Sequence, residues 1–239
     1  MFIIAPLSNC ASPAKRDRFL EYISKISPVT HDSEPKCRAY AWFRSAEDSD
    51  AVPHHWLRGL EVYEDVEANT VTHRASAEYK AFRAAAAAEG LLERPSDLRF
   101  WRPSSVGFLT RDDDGSRGPV NFMDRGRHAS SSGTRQYIVV DELTPRPRHK
   151  DQILKQLHGL VREAEREDQV LSFWVLHRGD GEQDEGLLVF ARYEDKDEWA
   201  RFEGRDAVAA MWNEVYELVV DEGQRRTTWV ESGLGFLGR

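Results

Sequence analysis

Trp101-Arg-Pro-Ser104-Ser-Val-Gly107-Phe108-Leu109-Thr-Arg111 recurs near the end of the chain as Trp229-Val-Glu-Ser232-Gly-Leu-Gly235-Phe236-Leu237-Gly-Arg239. The Trp, Ser, Gly, Phe, Leu and Arg keep their places in both copies. A repeated stretch in a chain of 239 residues raises the question of whether the rest repeats as well. It does, in the same order. Phe2-Ile3-Ile4-Ala5 matches Tyr137-Ile138-Val139-Val140. Pro13 to Leu20 matches Pro147 to Leu154, and Tyr63-Glu64-Asp65 matches Tyr193-Glu194-Asp195. The offsets drift by a few residues, as loop insertions would produce.

Each copy reads β-α-β-β-α-β. Met1 to Leu7 is an apolar, β-branched strand. Pro13 to about Ser27 has helical spacing, with Phe19, Tyr22, Ile23 and Ile26 on one face and Pro13 suited to the first turn. Strands follow at Cys37 to Arg44 and Gly59 to Tyr63. Val66 to Leu92 is helical with a break near Ala75-Ser76, its Ala84 to Ala88 run having high helix propensity. Leu98 to Trp101 is the last strand. The second copy places strands at Arg135 to Glu142, Val170 to Arg178, Leu187 to Tyr193 and Thr227 to Glu231. Its helices are Arg148 to Glu167 and Asp195 to Asp221. The domains expected are 1–111 and 135–239, joined over 112–134 by a flexible Gly/Ser/Asp/Arg-rich linker.

The strands predict how the copies associate. Val170-Leu-Ser-Phe-Trp-Val-Leu and Leu187-Leu-Val-Phe-Ala are apolar on both faces, whereas a sheet with one wet face alternates. One face lies under the copy's own helices and the other needs a second cover. The expected fold is α+β: two ferredoxin-like units in tandem forming a pseudo-dimeric α/β barrel. The repeated tails either reach across to the other copy or simply extend their own strand.

Composition limits the function classes. The formal net charge of −8 gives no electrostatic reason to hold nucleic acid or an anionic membrane. Two cysteines write no disulfide framework or cysteine-based zinc site. The apolar opening is too short for a signal peptide, and no stretch approaches a membrane span. The expectation is a cytoplasmic monomer that binds a small molecule. Metal-ligand spacing, a dinucleotide fingerprint, Gly-x-Ser-x-Gly and a catalytic-cysteine context do not occur.

Three stretches of the first copy resemble the antibiotic biosynthesis monooxygenase domain: Glu34-Pro35-Lys36-Cys37-Arg38-Ala39-Tyr40, Glu61-Val62-Tyr63-Glu64-Asp65, and His73 to Phe82. The second copy resembles it less, with Glu203 and Asp206 where His73 and Ser76 stand, and Lys36 replaces the family's usual Gly. The resemblance implies the dimeric α/β barrel superfold and a pocket between a sheet and its own helices. It also implies oxidation of phenols or anthrones by O₂ with no metal or flavin. Haem degradation fits less well, because no His stands near Phe82-Arg83.

Cofactor-free oxygenation needs a base, flat apolar walls and a donor to an oxyanion. His73 is the candidate base, since imidazole titrates near neutral pH. Asn69 falls four residues before it, on the same helical face. Asn69, Tyr63 and Arg44 are candidate donors. Tyr40, Trp42, His54, His55 and Trp56 are candidate binding residues, with Trp174 and His177 in the second copy. Plainer roles stand beside these. They are core packing for Tyr40, Trp42, Trp199 and Trp212, a surface turn for His54 to Trp56, a helix turn for His73 and a solvated strand end for Arg44. The expected function is a cofactor-independent monooxygenase on an aromatic, polyketide-like molecule, with O₂ as co-substrate. The alternatives are a cyclase or isomerase using the same pocket, or a non-enzymatic ligand-binding barrel.

Overall fold

The computed structural model describes residues 1–110, 119–123, 135–178 and 186–238. The chain forms two compact units, and neither is a contiguous half. The first comprises Met1–Trp101, Pro119–Gly133 and Trp229–Arg239; the second comprises Arg102–Gly118 and Thr134–Thr228. Each unit therefore contains the tail that follows the other copy. The expected contiguous domains are refined accordingly.

In the first unit, β1 (Phe2–Ile4) and β2 (Leu7–Ser8) precede α1 (Pro13–Ser33). Ser12 caps α1 by accepting from the Lys15 N–H, and Pro13 opens it. The helix passes Pro28 and ends at Ser33, beyond the expected stop near Ser27. Burial of Ile26, Ser27 and Thr30 holds those last turns. β3 (Cys37–Ser45) and β4 (Leu57–Tyr63) pair antiparallel, and β4 also pairs with β1.

The next helical region is not one helix. Ala68–Thr72 is a π-helical turn and His73–Ala75 a 3₁₀ turn. α2 (Ala77–Ala88) then begins after Ser76, which caps it through the Tyr79 N–H. The break falls where expected. β5 (Phe100–Phe108) starts beside β1. Phe19, Ile23 and Ile26 of α1 pack with Tyr40, Trp42, Leu57, Tyr63 and Phe82 in one apolar cluster. Full burial of a side chain such as Phe19 contributes about 1.5–3 kcal/mol.

The repeated tail explains itself here. Residues Trp229–Leu237 of β10 (Val219–Leu237) pair with β3, placing Gly235 opposite Ala41 and Phe236 opposite Tyr40. Gly235 has φ +98, and a Cβ there would lie 1.9 Å from the Tyr40 carbonyl oxygen. Ser232 Oγ donates to the Trp42 carbonyl at 2.6 Å, and Phe236 enters the core cluster. In the second unit Gly107 (φ +94) has the same relation to Phe173, its Cβ position 2.0 Å from that carbonyl oxygen. Ser104 Oγ donates to the Val175 carbonyl at 2.7 Å. Glycine at this position is required by a close backbone approach as well as by a left-handed φ.

Within the expected linker, β6 (Val120–Asn121) pairs with Leu237 and Phe236, and Phe122 is buried against Phe43. The rest of that stretch lies outside the described residues.

The second unit holds β7 (Tyr137–Pro145), α3 (Lys150–Glu165), β8 (Val170–Arg178), β9 (Leu187–Tyr193), α4 (Lys196–Glu203) and α5 (Asp206–Glu217). β9 pairs with both β7 and β8 and is buried along its whole length. The expected single helix over 195–221 divides at Gly204-Arg205. Ile153, Leu157 and Leu160 of α3 and Val208, Trp212 and Val215 of α5 supply the helical side of the core.

Within the first unit the hydrogen-bonded order is the end of β10, then β3, β4, β1 and the start of β5; within the second it is the rest of β5, then β8, β9, β7 and the start of β10. Each unit is thus an antiparallel sheet with helices, the α+β class expected from the sequence. No described helix is long and apolar enough to cross a membrane.

Candidate active site

Four elements of the first unit converge on His73. Its imidazole is 1 % exposed. Nδ1 lies 3.0 Å from Glu34 Oε2, 3.3 Å from Glu34 Oε1 and 3.4 Å from Thr30 Oγ1. Glu34 caps the end of α1, its N–H bonded to the Thr30 carbonyl at 3.2 Å. Thr30 Oγ1 donates to Glu34 Oε1 at 3.3 Å. The last turn of α1 therefore holds the carboxylate, and the carboxylate holds the imidazole. Nε2 on the other side of the ring is buried and has no hydrogen-bond partner among the described residues.

Three phenol rings surround that imidazole, with centroids 5.1 Å (Tyr40), 5.7 Å (Tyr63) and 5.0 Å (Tyr79) from it. Tyr40 and Glu61 are opposed across the β3–β4 ladder, and Glu61 and Tyr63 are two apart on β4, so all three face the same way. The Tyr63 hydroxyl donates to Glu61 Oε2 at 2.9 Å. Asn69 is 1 % exposed, and its Oδ1 is buried without a partner among the described residues. The π-helical turn brings Asn69 and His73 to one side, as their spacing predicted. Ser76 and Asp65 fix that segment from both ends, Asp65 accepting from the Ala68 N–H at 2.7 Å.

The electrostatics separate the acidic groups. Burial, and then Glu61, push the Tyr40 hydroxyl well above its ordinary value. Tyr63 is pushed the same way by the same two causes, against a pull from Asn69. Both phenols stay neutral donors. Burial also raises Glu61 above the usual carboxylate range, while His73, the Tyr63 hydroxyl and Arg74 pull it back. Cys10 is no nucleophile: burial pushes its thiol up to about 12.

His73, Asn69, Tyr63 and Tyr40 thus come together. Trp42 lies farther along β3, tilted against Phe19 at 4.9 Å, where it packs the core. Other expected members are elsewhere. Arg44 is four residues up the strand from Tyr40, with Asp17 at 3.9 Å. His54 is exposed beside the Ser49 carbonyl and Asp50. His55 faces Glu93 at 3.7 Å, and Trp56 lies under the Arg94 guanidinium. These three form a turn that meets the 93–94 segment. Glu34, Thr30, Glu61 and Tyr79 are members that sequence reasoning missed. Glu34 and Glu61 both lie inside the stretches that carry the family resemblance.

The corresponding region of the second unit is different. Phe173 faces Trp212, so Trp174, its neighbour on β8, points to the opposite face of the strand, away from Trp212. Half-buried His177 bonds the Arg178 carbonyl at 3.1 Å. Neither joins a pocket with Trp212. Instead Arg226 donates to Asp141 at 2.8 Å and to Glu203 at 2.8 Å, and stacks over Trp212, whose Nε1–H donates to Glu203 at 2.9 Å. Burial raises both carboxyls above their ordinary range, opposed chiefly by Arg226. Where the first copy has an imidazole with a free nitrogen, the second has a carboxylate held by a guanidinium.

Residues 2–85 match the family model of the antibiotic biosynthesis monooxygenases. Among solved structures, a candidate monooxygenase of Fusobacterium nucleatum superposes with a TM-score of 0.74 at 11 % identity, over 100 % of this chain and 94 % of that one. A candidate monooxygenase of Lactobacillus acidophilus gives 0.68 at 10 %, over 99 % and 95 %. An anthrone oxidase-like protein gives 0.61 at 14 %, over 96 % and 90 %. At such identities the likeness is one of fold. No curated protein sequence matches the chain.

Proposed function

We propose, from the match of residues 2–85 to the antibiotic biosynthesis monooxygenase model, that this chain is a cofactor-independent monooxygenase. Its substrate is an aromatic, polyketide-like molecule of secondary metabolism, with O₂ as co-substrate. One observation carries the reading: a buried imidazole with Nδ1 on a carboxylate, Nε2 unpartnered, and three phenols around it. Donation of Nδ1–H to Glu34 leaves the lone pair on Nε2, the form a general base requires. Glu34 then stabilises the imidazolium that forms.

Anthrone serves as the simplest substrate of this kind. His73 takes a proton from the ring methylene. The carbanion passes electrons to O₂ and the two join as a peroxide anion, which recovers the proton from His73. Loss of the second methylene proton, with cleavage of the O–O bond, gives the quinone and one water. The carbon loses four electrons and O₂ gains four. Asn69 supplies an amide donor to the developing oxyanion, Tyr63 keeps its proton on Glu61, and Tyr40 and Tyr79 supply flat walls.

The test is oxygen uptake with a panel of anthrones and hydroquinones, comparing wild type with His73→Ala. The reading expects uptake above background in the wild type and its loss in the variant. Background rates in both defeat it. Product formed without O₂ would mark a cyclase or isomerase, and binding without turnover a ligand-binding barrel.

A further inference from the structure

We propose that Glu61 is the acid of this site, a neutral carboxylic acid that gives its proton to the departing peroxide oxygen while the His73–Glu34 pair takes the proton from carbon. The proposal rests on the oxygenase reading above and adds a residue and a step to it.

Two carboxyl groups share the polar core of the first unit, and their partners differ. Glu34 meets the imidazole directly. Glu61 is 8 % exposed and its carboxyl meets a phenol, the Tyr63 hydroxyl. A buried carboxylate is costly unless a cation pairs with it. The groups facing Glu61 are, from β3, Tyr40; from the end of α1, Glu34; from the 3₁₀ turn, His73 and Arg74; from α2, Tyr79; and from its own strand, Tyr63. Of the two cations, His73 is already engaged by Glu34. A second negative charge beside Glu34 is opposed both by burial and by Glu34 itself. Two titratable groups with such opposed surroundings divide into an acid and a base.

The division answers a need of the chemistry. When the O–O bond breaks, the departing oxygen leaves as hydroxide unless a proton meets it. His73 is then occupied, because it is removing the second methylene proton. Glu61 donates its proton to that oxygen and water leaves. The imidazolium and the Glu61 carboxylate then exchange one proton, and the site returns to its starting state. No further oxidant or reductant enters.

Infrared difference spectroscopy reads the protonation state without any substrate. The wild type at neutral pH is expected to show a carboxylic-acid carbonyl band that Glu61→Gln removes and Glu34→Gln keeps. A spectrum unchanged by Glu61→Gln overturns the proposal. Should that variant not fold, Tyr63→Phe takes its place: losing the phenol donor must shift the same band, and an unmoved band is equally fatal. With anthrone as the probe, Glu61→Gln is expected to lower kcat roughly 100-fold with little change in KM. A variant that oxidises anthrone at the wild-type rate overturns the acid role. A wild type that shows the band yet leaves anthrone at background defeats the oxygenase reading and leaves the neutral Glu61 standing.

Discussion

His73 Nδ1 meets Glu34 Oε2 at 3.0 Å, across 39 residues of sequence and with both side chains buried. The contact fixes which ring nitrogen carries the proton. Glu34 acts on the chemistry through His73, which makes it a positioning residue. Glu34→Gln is expected to lower kcat roughly 100-fold while KM changes little. Nitrogen NMR of the imidazole supplies a readout that simple destabilisation would not move: a single Nδ1-protonated tautomer in the wild type, and a mixture in the variant. An unchanged tautomer in Glu34→Gln would remove Glu34 from the account.

Glu61 gives the stability a sign with pH. Burial raises its folded-state value above that of the unfolded chain, so the native state binds the proton more tightly. That contribution is complete below the unfolded value and is lost as pH rises through the folded one. Glu61→Gln keeps an acceptor for the Tyr63 hydroxyl and has no proton to lose. Relative to wild type, the variant is expected to gain melting temperature from acid to alkaline pH. Parallel curves for the two proteins would contradict this.

Gly235→Ala tests why the tail repeats. The new Cβ would lie 1.9 Å from the Tyr40 carbonyl oxygen at a φ of +98. Backbone strain of this kind costs about 1–3 kcal/mol before the clash is counted. Tyr40 packs on His73, so the variant is expected to lose both thermal stability and turnover. Gly90 has φ +58 and no atom within 4 Å of its Cβ position. Gly90→Ala should cost less than Gly235→Ala, as denaturant unfolding would show.

Arg226→Met probes the second unit. It leaves Asp141 and Glu203 buried beside each other without their cation, at a cost of about 3 kcal/mol. Turnover of anthrone, measured at a temperature where the variant is folded, is expected to stay within twofold or so of wild type, because the chemistry is assigned to the His73 unit. A large loss of kcat in the folded variant would place part of the site in the second unit.

Much of this arrangement is legible in the sequence, for local reasons. Pro13 behind Ser12, the Ser76 cap and the unbroken apolar run of Leu187 to Tyr193 each act within a few residues. So does the four-residue spacing of Asn69 and His73. The repeated Ser and Gly of the tails signalled a shared constraint, although only coordinates show that it is a carbonyl under Gly235. The rest depends on distant pairings. Glu34 to His73 spans 39 residues and Arg226 to Asp141 spans 85, and neither leaves a pattern in spacing. The first helix runs six residues past its expected end near Ser27, because the burial of its last turns cannot be seen in the sequence. His54, His55 and Trp56 look functional by composition, yet they meet Glu93 and Arg94, residues with no motif of their own.

The central claim is that His73, held by Glu34, oxidises an aromatic substrate with O₂. Isotopically labelled O₂ supplied with anthrone tests it most directly, with rates taken above the enzyme-free background. The account predicts one labelled oxygen in the quinone and the other in water, formed rapidly by wild type and at background by His73→Ala. Enzyme-dependent product without label, or equal rates for the two proteins, would contradict it.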